Sequence, residues 1–204
     1  MFAGASIACA AQVYNQRMAA IPPTLLLLSG APGAGKTTLQ CLSPDVVRPL
    51  GGYCAAFGTD DVYQLVDPNW ALVQEERCHT IARQNCLLLA RSFFEQELRL
   101  VMIAGNALYH PDHYAQYQAA LGAHCRVCHI TLDARDEVVV ERVRARGDLA
   151  QHPPAWLAEW LAHVRSFLGP WTTRINTSDQ SPAETLQHIA VILFEQGVQH
   201  DSDR

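Results

Sequence analysis

The stretch Gly30-Ala31-Pro32-Gly33-Ala34-Gly35-Lys36-Thr37 constrains this chain more than any other. It fits the pattern GxxxxGK[ST]. Glycines there let successive backbone N–H groups turn inward around a phosphate, and the following helix presents the positive end of its dipole. The surroundings agree. Residues 24–29 form a short continuous apolar run that suits a strand buried on both faces, and helical sequence begins near Lys36. Lys36 is the only lysine in 204 residues, and it falls at the one position where the pattern demands one. The loop predicts nucleotide contacts from Gly30, Ala31, Pro32, Gly33, Ala34, Gly35, Lys36, Thr37 and Thr38. The Lys36 charge would reach the β- and γ-phosphates, and the Thr37 hydroxyl would ligate Mg²⁺.

Strands and helices alternate along the rest of the chain. Apolar runs at 52–58, 98–104 and 126–132 and a weaker one at 172–177 read as further strands. Helices are expected over 70–96, 113–121, 136–146 and 155–168. A final helix opens at Ser181-Pro182-Ala183-Glu184, with Ser181 as N-cap, Pro182 at the first helical position and Glu184 at the third. This alternation predicts an α/β fold: a parallel five-stranded sheet with helices on both faces. Residues 1–20 read as a flexible N-terminal extension, 21–196 as one domain, and 197–204 as a disordered tail. A chain this long can bury about 70% of its unfolded surface, enough for one complete domain.

Composition removes several classes of function. Lys and Arg total 15 against a net charge of −5, without the basic excess of a general nucleic-acid binder. No run approaches the ~18 apolar residues of a membrane span, and the N-terminus lacks the basic start of a secretory signal. The expected setting is therefore cytoplasmic, with neither nucleic acid nor membrane as partner. Seven irregularly spaced cysteines make no disulfide framework. Cys125 and Cys128 form the only CxxC, but in a strand, residues three apart point to opposite faces, so packed thiols are expected. His110-Pro111-Asp112-His113 reads as a solvated turn, because proline interrupts the helical spacing a metal pair would need.

The single lysine also disfavours GTPases, whose base-reading NKxD element needs a second one. Small kinases and small regulatory modules remain. The chain here resembles the small P-loop kinases built like nucleotide, shikimate and gluconate kinases. It is most similar to chloramphenicol-phosphotransferase-like, zeta-toxin-like and tunicamycin-resistance-like proteins. The likeness runs from about residue 24 to 193. It rests on the loop, on Thr59-Asp60-Asp61-Val62-Tyr63 and on Leu132-Asp133-Ala134 leading to Glu141-Arg142-Val143-Arg144-Ala145-Arg146. Asn176-Thr177-Ser178-Asp179 and His110-Pro111-Asp112-His113-Tyr114 add to it.

The resemblance implies an ATP-dependent kinase, with Mg²⁺, acting on a hydroxyl of a small molecule: an antibiotic, sugar, nucleoside or other metabolite. It implies that a carboxylate at Asp60 or Asp61 accepts the acceptor's proton, the family pattern favouring Asp60. Mg²⁺ would rest on Thr37, phosphate oxygens and water beside that carboxylate. The resemblance makes about 142–155 a lid in which Arg142 and Arg146, one helical turn apart, neutralise the transferring phosphoryl group, with Arg144 off that face. Asp179 and Thr177 would lie beside the adenine. Asn106 stands where the third strand ends without an aspartate. Arg77, Arg83, Tyr63, Trp70, Tyr109 and His110 fall where such folds hold the second substrate. Two alternatives stay open: a nucleotide kinase with a phosphate acceptor, and a module that binds ATP without turnover. A monomer or homodimer is expected.

Overall fold

A computed structural model describes residues 22–47, 54–66 and 76–202. The expected extension at 1–20 and Trp70 lie outside these residues. In chain order the elements are β1 (Thr24–Gly30), α1 (Lys36–Val47), β2 (Cys54–Gly58), α2 (Thr59–Val66), α3 (Glu76–Glu95) and β3 (Leu100–Ala104). A 3₁₀ turn (Asn106–Leu108), α4 (Pro111–Leu121), β4 (Arg126–Asp133) and α5 (Asp136–Ala145) follow. A second 3₁₀ turn (Asp148–Ala150), α6 (Pro154–Ser166), β5 (Thr173–Asn176) and α7 (Pro182–Ser202) complete the fold.

All five strands are parallel, in the order β2-β3-β1-β4-β5. β1 is central and buried along its whole length, which is why its sequence reads as continuous leucine rather than as an alternation. Leu25 and Leu27 face a core shared with α2, α3 and α4. Leu26 and Leu28 face a second core closed by α1 and α7. Cys125 falls in the first core and Cys128 in the second, on opposite faces as their spacing requires, and neither forms a disulfide. A third, smaller cluster joins Ala31 of the glycine-rich turn to Val139 and Val143 of α5 and Leu157 and Leu161 of α6.

The predicted cap of the last helix is present: Ser181 Oγ accepts from Glu184 N at 3.3 Å, and the Glu184 carboxylate accepts from Ser181 N at 2.7 Å. The helix α7 continues through Ser202. Gly197 is a single glycine with no proline after it, and about 1 kcal/mol of lost propensity does not end a helix of 21 residues. Likewise, Pro111 starts α4 instead of interrupting it. It occupies the first helical position, where no N–H is needed, and His110 caps it by accepting from Asp112 N at 3.1 Å.

A buried chain of hydrogen bonds ties β1 to the segment after β3. Ser29 Oγ lies 3.0 Å from Thr131 Oγ1, which lies 2.9 Å from Thr172 Oγ1, which lies 2.6 Å from His129 Nδ1. His129 Nε2 meets the Leu108 carbonyl at 2.9 Å. That carbonyl only accepts, so Nε2 carries the proton. Burial lowers the His129 pKa to about 3, so the ring is neutral and Nδ1 accepts. Thr172 therefore donates to His129, Thr131 to Thr172, and Ser29 to Thr131.

Candidate active site

The glycine-rich turn connects β1 to α1 at the carboxyl edge of the sheet, where open α/β folds bind ligands. Gly35 sits at φ 108°, a conformation other residues rarely adopt, and a Cβ there would meet nothing within 4 Å. The hollow of the turn is thus open and lined by backbone, the form that a phosphate group needs. Lys36 arches back over the turn: Nζ donates to the Gly30 carbonyl at 2.7 Å and the Ala31 carbonyl at 3.0 Å, keeping one of its three N–H bonds for another acceptor. Burial lowers the Lys36 pKa to about 8, opposed by the Asp60 charge and reinforced by Arg146. Thr37 and Thr38 are exposed on the first turn of α1.

Asp60 and Asp61, adjacent in sequence, have different surroundings. Both lie in the first turn of α2. The Asp61 Oδ2 accepts from Gly58 N at 2.8 Å and from Gln40 Nε2 at 3.3 Å, so this carboxylate closes the helix start by reaching back to the capping residue. Among the described residues Asp60 accepts only from the Thr59 hydroxyl, at 3.3 Å, and feels the Lys36 charge. Desolvation raises its pKa above the ordinary carboxylate value, against the pull of Lys36. The geometry therefore leaves Asp60 as the carboxylate able to take a proton or face a metal ion, and engages Asp61 in the backbone. His79 of α3, which the sequence reading did not single out, stands near enough to favour the charged form of Asp60 and packs edge-on against Tyr63, ring centroids 4.9 Å apart. Its signal lay in the i,i+4 spacing to Arg83, itself buried and donating to Thr80 Oγ1 at 3.1 Å.

On the other side of the turn, a hollow of about 300 Å³ is lined by Thr38, Arg142, Arg146, Thr177, Gln180 and Thr185, among others. Arg142 lies within it but is heavily engaged, donating to Thr177 Oγ1, to the Thr177 carbonyl and to the Gly33 carbonyl. Arg146 is half-exposed, pairs with Asp148 at 3.4 Å and acts electrostatically on Lys36. Asp179, predicted to lie beside the base, is exposed and bound bidentately by Arg135 at 2.7 and 2.8 Å; the polar residues lining the hollow from this loop are Thr177 and Gln180. Asp133 is buried between Arg165 of α6 and Arg174, and this anchor for α6 was not legible locally because its partners lie more than 30 residues away. Asn106 Oδ1 is buried without a partner at the end of β3.

Mg²⁺ fits this donor set as an ion completed by phosphate. Among the described residues no group of three or more His, Cys, Asp or Glu side chains could hold a metal ion. The Thr37 hydroxyl and the Asp60 carboxylate are hard oxygen donors beside an anion cradle, the combination magnesium uses with nucleotide phosphates.

The strand order and the loop define the class: this is the fold of the small P-loop kinases. No family model matches the chain, and no curated protein does. Among solved structures, it is similar to a gluconokinase from Sinorhizobium meliloti 1021 (TM-score 0.63, 12% identity, 89% of this chain and 97% of that one). It is also similar to the tunicamycin resistance protein of Deinococcus radiodurans (TM-score 0.56, 18% identity, 83% and 95%). A shikimate kinase from Acinetobacter baumannii superposes with TM-score 0.56 at 16% identity, over 91% and 98%. Among the described residues no helix is long and apolar enough to cross a membrane.

Proposed function

We infer that the protein is an ATP-dependent phosphotransferase acting on a hydroxyl of a small molecule. The observation that carries this reading is the opposition of Lys36 and Asp60 at the mouth of the glycine-rich turn. A phosphate cradle alone serves many purposes; a free, partly desolvated carboxylate beside it supplies the one group that hydroxyl transfer needs in addition. On this reading Asp60 accepts the hydroxyl proton as the acceptor oxygen forms its bond to the γ-phosphorus. The bond to the β–γ bridging oxygen breaks, and ADP leaves. Lys36 and Arg146 neutralise charge on the transferring group, while Arg142, Thr177 and Gln180 hold the nucleotide side. Thr37 and Asp60 would hold Mg²⁺, which supplies charge neutralisation across the β- and γ-phosphates.

The test is ADP release across a panel of hydroxyl compounds that includes gluconate, shikimate and tunicamycin, with mass spectrometry showing one added phosphoryl group on the acceptor. Tight ATP binding with no ADP formed on any panel member would instead identify a sequestering module. The buried Arg83 on the acceptor side of α3 favours a second reading, an acceptor bearing an anionic group; phosphorylated acceptors on the same panel decide between the two.

A further inference from the structure

Arg165 of α6 lies apart from the reacting groups, yet it gathers three segments at the end of β4. Its Nε donates to both oxygens of Asp133, at 3.1 and 3.2 Å, and its Nη2 donates to Asp133 Oδ1 at 3.0 Å. Nη2 also donates to the Ala134 carbonyl at 2.7 Å, and Nη1 donates to Asp136 Oδ1 at 2.7 Å. Asp133 ends β4, Ala134 lies in the link, and Asp136 opens α5. One planar guanidinium thus knots α6 to β4 and to α5, a geometry that an ammonium group cannot reproduce. Asp133 is buried, and Arg174 of β5 pairs with the same carboxylate, which also accepts from Ala134 N at 2.9 Å.

Both routes out of this knot end at the phosphate turn. Along the first, the Asp133 carbonyl accepts from Thr177 N at 2.7 Å, and the Thr177 hydroxyl lies 3.2 Å from the Ala34 carbonyl. Along the second, α5 runs from Asp136 to Val139 and Val143, which lie directly on Gly33. That glycine has φ 82°, and a Cβ on it would stand 3.1 Å from both the Val139 carbonyl oxygen and Val143 Cγ2. Leu157 and Leu161 of α6 join Val139 and Val143 in the cluster that holds Ala31. The turn therefore leans on two helices that share Arg165 as a fixed point. A cradle of backbone N–H groups binds well only while it is preorganised, so a shift of its supports costs affinity.

We propose that Arg165 is a positioning residue for the nucleotide phosphates: it holds α5 and α6 against Ala31 and Gly33 and so keeps the turn in its phosphate-binding form. Arg165 is not among the described residues lining the hollow beside the turn, so its effect passes through α5 and through Thr177. The proposal rests on the phosphotransfer reading only in taking the turn as a phosphate cradle, and its test needs neither acceptor nor turnover. Binding of Mg·ADP is measured by calorimetry, with the urea midpoint recorded for each variant. Arg165→Met should weaken binding by about tenfold, within the scale of coupling carried by a packed network. Asp133 keeps Arg174 and Ala134 N in this variant, so its charge is not left uncompensated and the fold should persist. Arg165→Lys keeps the charge without the fork and should recover only part of the loss. Arg174→Met is the control: it takes the other guanidinium from the same carboxylate without touching the bonds to α5 and α6. It should move the urea midpoint and leave the Kd unchanged. Asp136→Asn spares the buried pair and should weaken binding by about two- to threefold, the scale of one half-exposed ion pair.

An unchanged Kd in folded Arg165→Met overturns the proposal. An equal loss in Arg174→Met overturns it as well, because Asp133 would then need only its charge compensated. Should Arg165→Met not fold, Asp136→Asn decides alone, and an unchanged Kd there overturns the proposal. Wild-type protein that binds no Mg·ADP removes the phosphate-cradle reading and this proposal with it. Binding with the expected variant effects, but no ADP released with any acceptor, leaves the positioning role standing and removes the phosphotransfer reading.

Discussion

Arg142 donates to both oxygens of Thr177, 3.1 Å to the hydroxyl and 2.7 Å to the carbonyl, and so fastens the loop after β5 to the phosphate turn. The Thr177 hydroxyl in turn lies 3.2 Å from the Ala34 carbonyl. A guanidinium held this way braces the loop after β5 and is not free to follow a moving group. Arg146, one turn on, pairs among the described residues only with Asp148. Arg142→Ala should therefore lower stability by about 1.5–3 kcal/mol, the scale of lost hydrogen bonds from a charged group, and raise KM for ATP. Arg146→Ala should leave the urea midpoint in place and lower kcat about 10²-fold. The opposite assignment of effects would place the transferring phosphoryl group at Arg142.

Lys36→Met should abolish measurable transfer, a loss of at least ~10²-fold, with the fold retained by circular dichroism. As the only lysine, Lys36 should also be the one side-chain amine that an acylating reagent modifies, and Mg·ATP should shield it. Equal modification with and without nucleotide would mean that the turn holds no phosphate.

The two aspartates should separate cleanly. Asp60→Asn preserves size but cannot accept a proton, so kcat should fall by about 10²-fold or more, with no comparable loss of ATP affinity below about pH 7. Asp61→Ala removes the closure of the α2 start and should cost about 0.5–2 kcal/mol of stability, with a smaller effect on kcat. Turnover by Asp60→Asn at the wild-type rate would place the base elsewhere.

The pH dependence follows from the same pair. Asp60 must be ionised and Lys36 charged, so kcat/KM should rise through a pH above the ordinary carboxylate value and fall near pH 8. Asp60 holds the Lys36 pKa up, so in Asp60→Asn the alkaline loss of ATP affinity should move below pH 8. Stability runs the other way. Between about 8 and 10.5 the unfolded chain keeps a proton that folded Lys36 has released, so the Lys36 contribution to stability grows with pH across this window. Subtracting the Tm profile of Lys36→Met from that of the wild type isolates it from the buried thiols and tyrosines.

Gly105 tests how closely β3 supports the site. A Cβ at this position would overlap the Thr59 side chain, whose hydroxyl holds Asp60. Gly105→Ala should lower kcat at least as much as it lowers stability, while ATP affinity, set on the other side of β1, stays near wild type. A loss of ATP affinity alone would contradict this.

Contiguous features were the legible ones. The phosphate turn, the buried β1 and the cap at Ser181 each occupy a few neighbouring residues, so their chemistry shows in the order of the letters. Asp60 and Asp61 were not separable that way, because what distinguishes them is the second against the third position of a helix whose start depends on Gly58. Tyr109 meets Trp160 across 51 positions, and the Asp133 anchor reaches Arg165 across 32. Helical periodicity shows which residues share a face but not which face of another helix they meet.

The chain from Ser29 to Leu108 has a fixed polarity. Every hydroxyl proton along it points toward His129, because the Leu108 carbonyl allows one tautomer only. A lost link therefore cannot be repaired by turning the remaining hydroxyls. Removing Thr131 Oγ1 leaves the Ser29 proton without its acceptor and Thr172 without its donor, and removing Thr172 Oγ1 then breaks the 2.6 Å link to His129 but not the link between the two hydroxyls, which is already lost. Energetically the strand that carries the phosphate turn and the segment that carries Tyr109 are joined by links that share their partners, so the loss of one is felt in the next. In a double-mutant cycle, Thr131→Val and Thr172→Val should together cost less than the sum of the two alone, by the one link they share.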